Sequence, residues 1–158
     1  ALADSAAAAI VTSPMERCRQ TAALVGRATG LRARVDRAFA EVDYGAWSGR
    51  KLSDLRRLAA WRTLMASPAR FRFPGGETLD EVRQRSVAAT EKLAGAYRGE
   101  TVVVVTHADV VRALLCHYLG MPLDLLHRLE VGPTSLTEIE LTDGFVRVPR
   151  VNHHLVPG

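Results

Sequence analysis

Cysteine is scarce in this chain: only Cys18 and Cys116 occur, far apart, with no CxxC pair and no short metal-ligand spacing. That usage rules out a cysteine-based metal site and argues for reduced thiols in a cytoplasmic protein. Aromatic residues are few, at 6%. They form no stacking platform, and no basic stripe accompanies them, so a nucleic-acid groove is not expected. The 21 Lys and Arg are interspersed with 17 Asp and Glu, and no block of like charge stands out. The net charge of +4 therefore reads as an Arg-rich solvated surface that suits a small anionic substrate. No apolar run approaches a membrane span, and the N-terminus lacks the charged-then-apolar order of a signal peptide. What is present is enough apolar sequence, 47% of 158 residues, for one core, so one domain over residues 1–158 is expected. The Ala-rich opening, Ala1 to Ala8, has no initiator Met and resembles the end of a helix, so that domain is read as N-terminally incomplete.

Strand and helix signals alternate along the chain. Ala8–Thr12 is a short apolar run that fits a buried strand. Ser13, Pro14 and Glu16 then form a helix start, with Ser as N-cap, Pro at the first helical position and Glu completing a capping box; the helix runs to Ala28, before Gly30. A short strand is placed at Arg34–Val35 and an ordered Gly-containing loop over Ala38–Arg50. One helix is expected over Leu52–Met65, ended by Ser67-Pro68. Thr78 can cap a helix over Leu79–Ala96 whose core face carries Val82, Val87, Ala88, Leu93 and Ala94. The four consecutive valines of Thr101–Thr106 mark a strand buried on both faces of a parallel sheet. A helix from about Asp109 to Leu119 follows, and Asp143-Gly144 turns a hairpin between Leu136–Leu141 and Phe145–Val151. The alternation favours one α/β layered structure.

In open parallel sheets, ligands bind beyond the carboxyl ends of the strands, where helix N-termini present amide donors. Thr12-Ser13-Pro14 and Thr106-His107-Ala108-Asp109 both join a strand to a helix. Arg17 lies close enough to fold over the first helix N-terminus and hold two phosphate oxygens, although a surface helix Arg would read the same way. His107 follows the valine run where the strand leaves the core, which suits a functional group or an ordinary loop-edge hydrogen bonder. Asp109 is equally well explained as a helix N-cap. Glu41, in a Gly-rich loop with aromatic neighbours, could be desolvated into a general acid; Asp43 competes for that role. His107, His117 and His127, spaced by ten, share no helix face with further ligands, so no metal is expected.

Four separated blocks together resemble one family. They are Ser13 to Ala22, Glu41 to Gly49, Pro74-Gly75-Gly76-Glu77-Thr78 with Arg85, and Val105-Thr106-His107. In order and spacing they resemble the histidine phosphatase superfamily, closest to its phosphoglycerate-mutase-like small phosphatases. The resemblance implies a three-layer α/β sandwich with a mainly parallel central sheet, to which the C-terminal β-hairpin is added. It implies that Arg17 is the helix Arg of the pocket, His107 its second His and Glu41 the proton donor. Ser13, Gly76, Glu77, Thr78 and Ala108 would border the bound phosphate. The family's Arg-His-Gly motif, which carries the nucleophilic His, has no counterpart here and is expected on a strand preceding residue 1. Where the family usually continues its second His with Gly-Gly, this chain has Ala108-Asp109.

The implied activity is hydrolysis of small phosphorylated metabolites through a phosphohistidine, with no cofactor and neither nucleic acid nor membrane as partner. Two alternatives remain at this point. A phosphoglycerate mutase uses the same pocket but tends to carry a longer insertion after the Glu motif than the 33 residues between Glu41 and Gly75. A non-catalytic phosphate-binding pseudoenzyme fits if the Arg-His-Gly motif is truly absent. Phe71, Phe73, Trp47 and Trp61 fit either core packing or an apolar rim. The terminal hairpin can cap the sheet or meet a second copy, which leaves a homodimer open.

Overall fold

The computed structural model describes residues 6–154. Three strands form a parallel sheet in the order β2-β1-β3: β1 (Ala7–Thr12) in the middle, β2 (Ala33–Val35) and β3 (Thr101–Val105) beside it. The register pairs Thr12 with Val35 on one side and with Val105 on the other, so all three strands end level. Ala7 and Ala8 belong to β1, so the Ala-rich opening is partly strand rather than a helix end; its first five residues lie outside the described ones.

Side-chain alternation along the strands builds two layers of core. Ile10 packs toward α1 (Glu16–Thr29), beside Gly26. Val11, Val102 and Val104 join the main cluster with Val82 and Val87 of α4 (Leu79–Ala96) and Val110 and Ala113 of α5 (Ala108–Tyr118). The helices thus cover both faces of the sheet, as the three-layer expectation required. The hairpin pairs β4 (Leu136–Thr142) with β5 (Phe145–His153), antiparallel and separate from the sheet.

Four local expectations fail for identifiable reasons. The valines of β3 are half-buried, not enclosed, because among the described residues no strand pairs its outer edge. The helix expected over 52–65 is two: α2 (Leu52–Leu55) and α3 (Ala59–Ala66). Leu55 and Leu64 both enter the core, yet on one straight helix they would point about 180° apart. Ala88 is exposed because it lies about 180° around α4 from buried Leu79. Ser13 does not cap α1, which starts at Glu16 with Met15 in the cap position and no side-chain cap. By contrast, Thr78 caps α4 in a full capping box with Glu81.

Candidate active site

The level strand ends bring the two strand-to-helix joints together. Ser13 N–H donates to Val105 O at 2.9 Å, extending the β1–β3 ladder by one bond and placing Ser13 beside His107. His107 is only 5% exposed. Its Nε2 lies 2.7 Å from Ser13 Oγ, and its Nδ1 lies 2.7 Å from an Arg17 guanidinium nitrogen and 3.3 Å from Glu41 Oε2. The same Arg17 nitrogen reaches Glu41 Oε2 at 3.2 Å. Residues far apart in sequence, Arg17, Glu41 and His107, therefore form one contiguous cluster at the carboxyl end of the sheet.

The geometry selects a protonation state. Arg17 can only donate, so Nδ1 accepts, and the ring proton sits on Nε2 and is donated to Ser13 Oγ. A neutral imidazole agrees with its titration: burial first, then the charges of Arg17 and Arg85, push the His107 pKa down to about 4. Glu41 moves the other way, its carboxyl held above the ordinary range chiefly by burial, with the Asp109 carboxylate adding to the rise. The Arg17 side chain remains 56% exposed, leaving a cation at the mouth of the cluster. Cys18 lies beneath, its Sγ 3.5 Å from Nε2, and burial keeps its thiol pKa raised.

A backbone zipper fixes the Glu41 loop. Glu77 N–H donates to Asp43 O at 2.9 Å and Ala46 N–H to Pro74 O at 2.8 Å, tying the loop to the 74–77 turn. The approach is so close that a Cβ on Gly45 would lie 2.2 Å from Pro74 O, and one on Gly76 2.1 Å from Asp43 O. Glycine at both positions is a condition of the contact. Arg85 completes the clamp. Its guanidinium donates to both Glu77 carboxylate oxygens and to the carbonyls of Ala38, Ala40 and Glu41, at 2.6–3.2 Å.

These contacts determine where the remaining sequence-predicted residues fall. Ser13 is fully buried behind His107, its hydroxyl facing the ring. Gly76 and Glu77 scaffold the Glu41 loop, and the Thr78 hydroxyl is occupied by the Glu81 N–H. Ala108 opens α5 directly after His107, with no glycine-only conformation there. Asp109 does not cap that helix: its carboxylate accepts from Tyr44 Oη at 2.9 Å and from Arg112 at 2.8 Å. Sequence reasoning gave Arg85 no role, although a position eight residues beyond Glu77, about two helical turns on, falls on the face that can reach back to it. The Tyr44–Asp109 bond spans 65 positions and left no local signal.

Comparison with known proteins places this arrangement. The model of the histidine phosphatase superfamily (branch 1) matches residues 1–154. The chain belongs to that superfamily. Among curated proteins, it is 33% identical over 147 residues to the Bifunctional protein Rv2228c of Mycobacterium tuberculosis, covering 92% of this chain and 40% of that protein. It is 31% identical over 116 residues to Phosphoserine phosphatase 1 of Hydrogenobacter thermophilus, covering 72% of this chain and 55% of that one. The chain thus spans roughly half or less of these relatives' length. The solved structure of Bacillus stearothermophilus YhfR superposes with a TM-score of 0.89 at 28% identity, over 98% of this chain and 80% of the other. Among the described residues no cluster of His, Cys, Asp and Glu is placed to hold a metal, and no helix is long and apolar enough to cross a membrane.

Proposed function

We propose that this protein hydrolyses small phosphomonoesters in two steps through a phosphohistidine. The observation that carries the reading is the Arg17–His107–Glu41 cluster, with its contacts of 2.7–3.3 Å, at the level ends of β1 and β3. The N-termini of α1 and α5 begin beside it, neither N-cap residue making a side-chain cap, and present amide donors to an anion.

In this reading the nucleophilic imidazole comes from an Arg-His-Gly strand outside the described residues, paired on the outer edge of β3. That imidazole attacks phosphorus as the ester P–O bond breaks, and Glu41, whose pKa burial raises, acts as the general acid that protonates the leaving alkoxide. Water then attacks the phosphohistidine, the Glu41 carboxylate takes its proton, and the N–P bond breaks to release inorganic phosphate. Arg17 turns from Nδ1 to the phosphate oxygens. With Arg17 turned away and a substrate dianion beside the ring, Nδ1 of His107 takes up a proton from solvent water, and the imidazolium balances the equatorial charge.

The test is phosphate release from p-nitrophenyl phosphate by the full-length protein, with a labelled enzyme that is acid-labile and alkali-stable. Arg17→Ala and His107→Ala should each lose on the order of a hundredfold or more in rate. A double-digit percentage of activity surviving in His107→Ala overturns the assignment. Supplying 3-phosphoglycerate distinguishes hydrolysis, which yields free phosphate, from mutase chemistry, which yields the isomer.

A further inference from the structure

Beside the charged cluster lies a cavity of about 510 Å³ that the proposed chemistry does not use. Tyr44, Trp47, Trp61, Leu64 and Phe73 line it, and the exposed hydrophobics Leu52 and Met65 extend its apolar lining. Its aromatic wall is ordered: Trp47 stacks on Trp61 with ring centroids 6.3 Å apart, and Phe73 meets Trp47 and Tyr44 edge-on at 5.5 and 5.0 Å. Tyr44 and Asp109, hydrogen-bonded to each other at 2.9 Å, both line it, and Asp109 is near enough to Glu41 for its charge to act on that carboxyl, so the cavity borders the cluster.

The charges at the junction cancel. Asp109 and Arg112 both line the cavity and are paired at 2.8 Å, with Tyr44 Oη on the other carboxylate oxygen and Leu129 O on Arg112 Nε. His127 titrates below its ordinary value, chiefly through desolvation. Arg50 is exposed. A leaving group entering from Glu41 therefore meets aromatic surface and a satisfied ion pair, with Arg50 the one lining cation that has no ion-pair partner among the described residues.

We propose that this cavity is the leaving-group subsite, shaped for monophosphates of uncharged alcohols with an apolar or aromatic body, and that Asp109 sets the preference by pairing Arg112. The inference rests on the phosphatase reading for the position of the phosphate. Without the Asp109 charge, Arg112 would face the leaving group as a free cation and invite a second anion. The Ala108-Asp109 departure from the family's Gly-Gly thus acquires a role in specificity.

Trp47 and Trp61 both line the cavity, so the part of the full-length protein's emission change that Trp61→Phe removes reports on it without turnover. Titrating the full-length protein with benzylphosphonate should perturb tryptophan emission and saturate about tenfold tighter than with 2-carboxyethylphosphonate. Asp109→Asn, which keeps an acceptor for Tyr44, should tighten 2-carboxyethylphosphonate about fivefold. The double variant Asp109→Asn/Arg112→Gln should restore the wild-type ratio. Equal affinities in the wild type, an unperturbed emission, or an Asp109→Asn ratio that stays at the wild-type value overturns the proposal. The wild-type comparison decides the cavity's role even if the variants fail to fold. Selective binding of benzylphosphonate without phosphate release from phenyl phosphate keeps the subsite and overturns the hydrolytic reading instead.

Discussion

Arg85 provides the sharpest test of how the Glu41 loop is held, because one side chain makes five hydrogen bonds to that loop and to the 74–77 turn. Arg85→Lys keeps the charge but replaces a planar fork with a point donor that can reach about three acceptors. At least two acceptors, carbonyl oxygens among them, would lose a charged donor, each bond being worth about 1.5–3 kcal/mol. The Arg85 side chain is 21% exposed, so water recovers part of the loss and the expected cost is about 3 kcal/mol. Urea unfolding should show it as a lowered midpoint at unchanged slope. A purely structural role would stop there. A positioning role goes further: a loosened loop hydrates Glu41, removes the burial that raises its pKa, and moves the Glu41-dependent limb of the pH–rate profile to lower pH. A stability change below about 0.5 kcal/mol with an unmoved pH limb would refute the clamp.

Two further perturbations probe the same site. Gly76→Ala forces a Cβ toward Asp43 O and should part the zipper between the loop and the turn, costing about 1–3 kcal/mol in a thermal or urea melt; a wild-type melt would show that the loop yields freely. The depressed His107 pKa makes stability fall with acid. Between about 6.5, its unfolded value, and about 4, the unfolded chain takes up the proton first, so some 3 kcal/mol present above the upper limit is lost on descending through the lower. Comparing urea midpoints at pH 7 and pH 4.5 for wild type and His107→Gln isolates this contribution; parallel declines would show that His107 is not its source.

Much of this molecule was legible before any coordinates, and the reasons are local. The valine run, the Thr78 cap and the Asp143-Gly144 turn each express a preference decided within a few residues, and each element formed where expected. Arg17, Glu41 and His107 were each ambiguous from position alone, and the resemblance of four ordered blocks to the histidine phosphatase superfamily is what singled them out. Expectations failed where a long-range competitor took the group. Ser13 has the residue type of a helix cap, but buried His107 offers its hydroxyl a stronger partner. Asp109 has the residue type of a cap as well, yet Tyr44 and Arg112 claim its carboxylate across the fold.

The sequence by itself determined which residue types stand at which strand ends, and hence that charged side chains were available at one end of the sheet. Only the tertiary structure decided their states. Arg17 and Glu41 are 24 positions apart and Arg17 and His107 are 90 apart, yet they share hydrogen bonds. Burial at that meeting point makes His107 neutral and Glu41 reluctant to ionise. Desolvation and pairing are properties of the packed neighbourhood, and no stretch of sequence carries them alone.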